Sequence, residues 1–177
     1  MTLRRRDALL LGAVAAAAAG AGFLAAPALL GPGGGNRDAL RSATFEDLAG
    51  KPRSLADWDG KILVLNFWAT WCQPCLEEIP MMVAVRDRYA SFGVEFVGIA
   101  VDLAANVAEF VTKIRITYPI VVAHAGGVDL MRKLGNTAGA LPYTVFVDRS
   151  GALAKRKLGA LKLPELEAAL AELVRKP

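Results

Sequence analysis

Two cysteines are all that this chain of 177 residues contains, and they stand two residues apart in Trp71-Cys72-Gln73-Pro74-Cys75. A disulfide closing so short a loop removes little chain entropy, because that effect grows with loop length. The pair is a poor staple and a good switch. Just before it, Ile62 to Phe67 (Ile-Leu-Val-Leu-Asn-Phe) is a continuous apolar run with one polar interruption, which predicts a buried strand. A helix beginning near Gln73 then sets Cys72 at its amino terminus, where unpaired N–H groups and the helix dipole favour an anion. The thiolate is the reacting form of cysteine, so this placement makes Cys72 the nucleophile. Pro74 lacks an N–H that the first helical turn does not need. Cys75, one turn further in, is less exposed and placed to attack a sulfur held by Cys72. The chemistry predicted is thiol–disulfide exchange.

Other reactive groupings are thin. One His (His124) and one Cys pair cannot readily close a four-ligand zinc site, and two Cys cannot make a disulfide scaffold. No metal or cofactor residue is expected. Soft thiolates do suit Cu(I), so a copper carrier using Cys72 and Cys75 is the alternative from another class, with Met81 and Met82 near in sequence. His124 reads as a loop residue, and Gly126-Gly127 before a helical pattern (Val128 to Leu134) lacks the Lys and spacing of a phosphate loop. Lys155-Arg156-Lys157 reads as a solvated strand or turn, with proximity to a membrane as the alternative.

The elements that must position the pair follow from periodicity. Val94 to Val101 and Thr144 to Val147 share the β-branched and aromatic character of a strand, and Ile116 to Ala123 adds a short candidate interrupted by Pro119. Between them, Leu76, Ile79, Val83 and Tyr89 recur at roughly helical spacing, as do Val107, Phe110, Val111 and Ile114. Leu166, Ala169, Leu170, Leu173 and Val174 do the same near the carboxyl end, with Pro164 at a first helical position but no Ser, Thr, Asp or Asn cap. Strands alternating with helices predict an α/β domain with a sheet covered on both faces.

The first thirty residues are of another kind. Arg4 to Arg6 form a positive start, Ala8 to Leu24 an apolar stretch, and Ala26-Pro27-Ala28 a small-residue cleavage candidate. The Arg pair followed by Asp7, Ala8, Leu9 and Leu10 resembles a twin-arginine export signal. An uncleaved anchor needs about 20 apolar residues, and Ala8 to Leu30 is long enough, with the Arg cluster holding the amino terminus inside. Either reading, for residues 1–30, exports the remainder. Residues 31–42, opening Gly31-Pro32-Gly33-Gly34-Gly35, read as a flexible linker, and 43–177 as the globular domain. The formal charge is +4; without Arg4, Arg5, Arg6 and Asp7 there remain 18 basic against 16 acidic side chains, an excess of two. That mild excess without a basic stripe speaks against nucleic acid as partner.

Trp71-Cys72-Gln73-Pro74-Cys75, the preceding Leu65-Asn66-Phe67-Trp68-Ala69-Thr70, and Leu141-Pro142-Tyr143-Thr144-Val145-Phe146-Val147-Asp148 together resemble the thioredoxin superfamily. More narrowly they resemble its exported TlpA/ResA/CcmG-like thiol-disulfide oxidoreductases. The resemblance runs from about Ala43 to Lys176 and includes Leu55-Ala56-Asp57-Trp58-Asp59-Gly60-Lys61. It implies a thioredoxin-like fold, a central mixed β-sheet flanked by helices, preceded here by the signal or anchor segment. It implies a cis proline, Pro142, facing the Cys pair, with Leu141 beside the sulfurs and Trp71 shaping the surface where a substrate docks. Trp58 and Trp68 are expected in the core. Thioredoxins proper carry a buried Asp where this chain has Asn66; the TlpA/ResA-like proteins instead place a Glu three residues after the second Cys, matched by Glu78 in Glu78-Ile79-Pro80. Glu78 is then the group that moves the proton of Cys75, whereas Glu77 is a solvated neighbour. The implied partners are disulfide- or dithiol-bearing client proteins, such as apocytochrome c or the copper-site subunit of a terminal oxidase. A membrane thiol reductase of the DsbD/CcdA kind would donate electrons, and the implied place is the periplasm or the outer face of the inner membrane. Peroxiredoxins share the fold, but their reactive Cys follows a Thr by three positions. Thr70 precedes Cys72 by two, so a peroxidase is the lesser alternative.

Overall fold

The computed structural model describes residues 34–176, and the segment read as a signal or anchor, residues 1–30, lies outside them. Helix α1 (Gly34–Arg41) opens the described chain. This corrects the flexible linker expected through residue 42. Past the glycines, Asp38-Ala39-Leu40-Arg41 offers helix formers and one side chain worth burying. Leu40 is 5 % exposed and packs with Leu55 and Trp58. Two short strands follow, β1 (Thr44–Asp47) and β2 (Pro52–Ser54), then a single 3-10 turn (Leu55–Trp58) capped by Ser54 Oγ, which accepts the Ala56 N–H at 3.2 Å.

The remaining elements are β3 (Ile62–Trp68), α2 (Gln73–Tyr89), β4 (Val94–Ala100), α3 (Ala104–Ile114), β5 (Ile120–Val122), α4 (His124–Lys133), β6 (Tyr143–Val147), β7 (Leu153–Leu158) and α5 (Leu163–Arg175). The seven strands make one sheet in the order β2-β1-β5-β4-β3-β6-β7. Its centre, β3, is buried at every residue, pairing parallel to β4 (Leu65 opposite Val97) and antiparallel to β6 (Leu65 opposite Val145). The mixed thioredoxin-like sheet expected from the sequence is therefore present. Its two edges resist further pairing: β2 begins at Pro52, and β7 presents exposed Lys155 and Arg156 with half-buried Lys157.

Alternation along the strands divides the core. Ile62, Val64 and Trp68, with Phe96 and Phe146, lie under α2, α3 and α5. Leu63, Leu65 and Phe67, with Val97 and Ile99, lie under α1, α4 and the 3-10 turn. Trp58 and Trp68 are both core, as expected. Pro119 shortens the fifth strand to three residues. Gly126 and Gly127 fall inside α4 rather than before it, and His124 is its first residue, at φ 40°, not a loop residue. A Cβ on Gly127 would stand 2.9 Å from both Ala123 Cβ and Val101 Cγ2, so the glycine lets α4 lie close on β4 and β5. Helix α5 lacks a short polar cap; the Glu165 carboxylate instead accepts the Lys162 N–H at 3.0 Å. Among the described residues no helix is long and apolar enough to cross a membrane.

Candidate active site

The site lies where β3 gives way to α2. A turn closed by the Cys72 N–H on the Ala69 carbonyl (3.2 Å) reverses the chain, and α2 starts at Gln73 with Cys72 at its N-cap. Cys72 and Cys75 are joined as a disulfide, with Cα atoms 5.3 Å apart. Pro74 sits in the first helical turn, where its missing N–H costs nothing. Cys72 retains 6 % exposure and Cys75 none, so Cys72 is the more accessible sulfur of the pair. Trp71, in the turn itself, is 69 % exposed.

One helical turn beyond Cys75, on the same buried face of α2, is Glu78, 4 % exposed. Its Oε1 accepts from Asn66 Nδ2 at 2.8 Å and its Oε2 from the Leu161 N–H at 2.7 Å. The same Asn66 amide donates to Thr144 Oγ1 at 3.1 Å, across the β3–β6 pair in which Asn66 stands opposite Thr144. Burial pushes the Glu78 carboxyl above its usual range, against the lowering pull of the Leu161 and Asn66 hydrogen bonds and the more distant Lys157. A carboxylate held this way takes a proton more readily than a solvated one. Glu77, its neighbour, is exposed and accepts from Gln73 Nε2 at 3.2 Å.

The fold also brings the later motif here. β7 and β3 run the same way, each antiparallel to β6, so the start of β6 lies at the disulfide end of the sheet. The Leu141–Pro142 peptide bond is cis. Pro142 is buried and its carbonyl accepts the Gly159 N–H at 2.9 Å. Leu141 is half-buried between the two cores, and its backbone bonds to no described residue. Exposed Leu103 and Leu158 sit at the same end, after β4 and at the end of β7.

Cys72, Cys75, Glu78, Trp71, Leu141 and Pro142 thus all stand at one end of the sheet. Two residues escaped the sequence reading. Leu161 contributes only its backbone N–H, which leaves no sequence signal. Asp102 binds Thr70 and the start of α3; an Asp just before a helical pattern was the signal that could have found it. Met82 is fully buried and Met81 packs against the core. Among the described residues no group of three or more His, Cys, Asp or Glu could hold a metal ion.

The sequence pattern of the AhpC/TSA family matches residues 37–156. The thiol-disulfide oxidoreductase ResA of Geobacillus thermodenitrificans is 33% identical over 124 residues, 70% of this chain and 69% of that protein. A thiol:disulfide interchange protein of the thioredoxin family from Chlorobium tepidum superposes with a TM-score of 0.65 at 32% identity, covering 75% of this chain and 92% of the other. A secreted Mycobacterium tuberculosis disulfide oxidoreductase, described as homologous to E. coli DsbE, gives a TM-score of 0.64 at 27% identity over 77% and 98%.

Proposed function

We propose a direction, a place and a mechanism for this chain, which belongs to the AhpC/TSA family and is a thiol-disulfide oxidoreductase of thioredoxin-like fold. It works as a reductant of client proteins outside the cytoplasm. The observation that carries this reading is the buried Glu78 one turn beyond a fully buried Cys75. A resolving thiol out of reach of water needs an internal base, and Glu78 is that base.

In the reduced protein, the Cys72 thiolate attacks a client disulfide. A bond forms between Cys72 Sγ and one client sulfur, the client S–S bond breaks, and the second client sulfur leaves as a thiolate that takes up a proton. Glu78 then accepts the Cys75 proton. The Cys75 thiolate attacks Cys72 Sγ, forms the disulfide seen here, and expels the first client sulfur, which is protonated in turn. The client gains two electrons and two protons; a membrane dithiol reductase of the DsbD/CcdA kind restores both to the Cys pair. Trp71 and Leu141 flank the exchanging sulfurs, and the unbonded backbone of Leu141 offers hydrogen bonds to an extended client segment.

The names of the relatives, ResA and a secreted DsbE homologue, together with the Arg-led apolar segment before residue 31, support a place at the outer face of the inner membrane. They also support clients from cytochrome c or oxidase copper-site maturation. Substituting Cys72→Ser is expected to abolish insulin-disulfide reduction, and Cys75→Ser to accumulate a mixed disulfide visible on non-reducing gels. Full reductase activity in the Cys72 variant would overturn the assignment. A reduction potential near the oxidising end, about −120 mV, would reverse the direction.

A further inference from the structure

One ionised side chain grips the redox turn and has no part in the mechanism above. Asp102 stands just beyond β4. Its Oδ2 accepts the Thr70 N–H at 2.9 Å and the Thr70 hydroxyl at 2.5 Å. Its Oδ1 accepts the Leu103 N–H at 2.7 Å and Asn106 Nδ2 at 3.1 Å, which pins it to the start of α3. Thr70 and Trp71 are the two central residues of the turn that the Cys72 N–H closes on Ala69. One carboxylate therefore fastens the turn presenting Cys72 to the neighbouring strand–helix junction.

We propose that Asp102 is a positioning residue for Cys72: it holds the Ala69–Cys72 turn and sets a fixed negative charge against the forming thiolate, keeping the pair more reducing than the helix terminus alone would make it. The inference rests on Cys72 being the nucleophile. Burial pushes the Asp102 carboxyl up, but its hydrogen bonds to Thr70, Leu103 and Asn106 together outweigh this and hold it below the usual value, so it stays charged in the working range. Thr70 and Cys72 are two Cα steps apart, at most ~7.6 Å. With Asp102 Oδ2 2.9 Å from the Thr70 N, the charge stands on the order of 8–10 Å from the thiol, where it moves a thiol by roughly 0.5 to 1.5 pH units. Other charges around the turn offset one another or lie apart. Glu109 and Lys113 of α3, opposite in sign, line a cavity of about 240 Å³ with Thr70. On α2, Glu77 is exposed and bonded to Gln73, while Glu78 lies beneath Cys75.

The test is Asp102→Asn, an isostere that still offers an oxygen to Thr70. The rate of alkylation against pH, with the modified cysteine located by mass spectrometry, is expected to show the Cys72 pKa lower by about 0.5 to 1.5 units, with a more oxidising potential. In the unaltered protein the same pKa falls as salt rises to about 0.5 M, because the charge is screened; this arm needs no folded variant. Asp102→Glu restores the charge and moves the pKa back. A variant that melts earlier but keeps the parent pKa and potential reduces Asp102 to a helix cap and overturns the proposal, as does a wild-type pKa that ignores salt. Alkylation falling first on Cys75 would instead overturn the reading of Cys72.

Discussion

Replacing Glu78 separates its charge from its hydrogen bonds. In Glu78→Gln the side chain keeps one oxygen but turns an NH₂ toward a donor, either Asn66 Nδ2 or the Leu161 N–H. Asn66 can relieve the conflict. Its Oδ1 is buried without a partner, so turning the Asn66 amide over lets Oδ1 accept from the introduced NH₂ and from the Thr144 hydroxyl. The expected loss is about one hydrogen bond, ~0.5–1.5 kcal/mol. Glu78→Leu leaves the Leu161 N–H and one Asn66 hydrogen unmet at ~1–3 kcal/mol each, about 2–6 kcal/mol in all. The two variants also read the titration. The folded carboxyl is raised above its ordinary 4.5, so between the two values the native state binds more protons than the unfolded chain. The stabilisation is whole below the ordinary value and is lost as pH rises through the folded one, by up to about 1.4 kcal/mol per pH unit. Urea unfolding of the oxidised protein across pH 4 to 8 checks this: wild type minus Glu78→Gln is expected to fall with rising pH. A difference that grows with pH would mean the hydrogen bonds outweigh burial, and Glu78 would be no proton acceptor at neutral pH. In the reductase assay at neutral pH the same variant is expected to slow turnover about 100-fold, the usual range for a lost general base.

Two further outcomes follow from the packing around the pair. Trp71→Ala removes a ring that is 69 % exposed, so stability is expected to stay within ~0.5 kcal/mol. KM for a protein disulfide should rise about tenfold, by the worth of a contact anchor, while a small disulfide such as oxidised glutathione is turned over unchanged; equal loss on both substrates would place Trp71 in the chemistry instead. Gly98→Ala puts a methyl against Ile120 Cδ1 and 3.0 Å from Trp68 Nε1. Calorimetry should show a loss of ~1–3 kcal/mol, or roughly 3–10 °C, together with altered Trp68 fluorescence.

The site was legible where its chemistry is local. The Cys pair, the proline between them and the buried run of β3 are contiguous, and their types and order alone place a nucleophile at a helix start. Pro142, Leu141 and Glu78 came through resemblance to a family, because their meaning depends on a sheet that brings residue 142 back beside residue 72. What stayed hidden is contact between distant polar groups: Leu161 to Glu78 is 83 residues apart and Thr70 to Asp102 is 32. Neither donor carries a pattern. The short strands β1 and β2 were missed for another reason, since Thr44-Phe45-Glu46-Asp47 and Pro52-Arg53-Ser54 lie half in water and lack the apolar run that marks β3. Helix α1 was masked by the glycines before it, although Leu40 was available to bury.

The amide at residue 66 is best understood from what it faces. An aspartate at that position would set a second carboxylate against Glu78, and two acids so close cannot both ionise, so they would titrate as one coupled pair. Asparagine removes the conflict. It cannot exchange a proton in the working range, and it spends both hydrogens of its Nδ2, one on Glu78 and one on Thr144. The titrating group is thereby moved from the strand to the helix, onto the face that carries Cys75. Gly98, opposite Asn66 on β4, leaves room for Trp68, Tyr118 and Ile120 to close over the sheet. Among the described residues Glu78 is the one buried carboxyl, one turn beyond Cys75 and fixed at both oxygens, with the buried Tyr118 as its ionisable neighbour. Because each bond is donated by an N–H, the carboxylate form has partners for both oxygens, while the protonated form is favoured by burial. Burial tilts Glu78 toward the protonated form against the pull of its two hydrogen bonds, the direction that the proposed role of taking the Cys75 proton asks for.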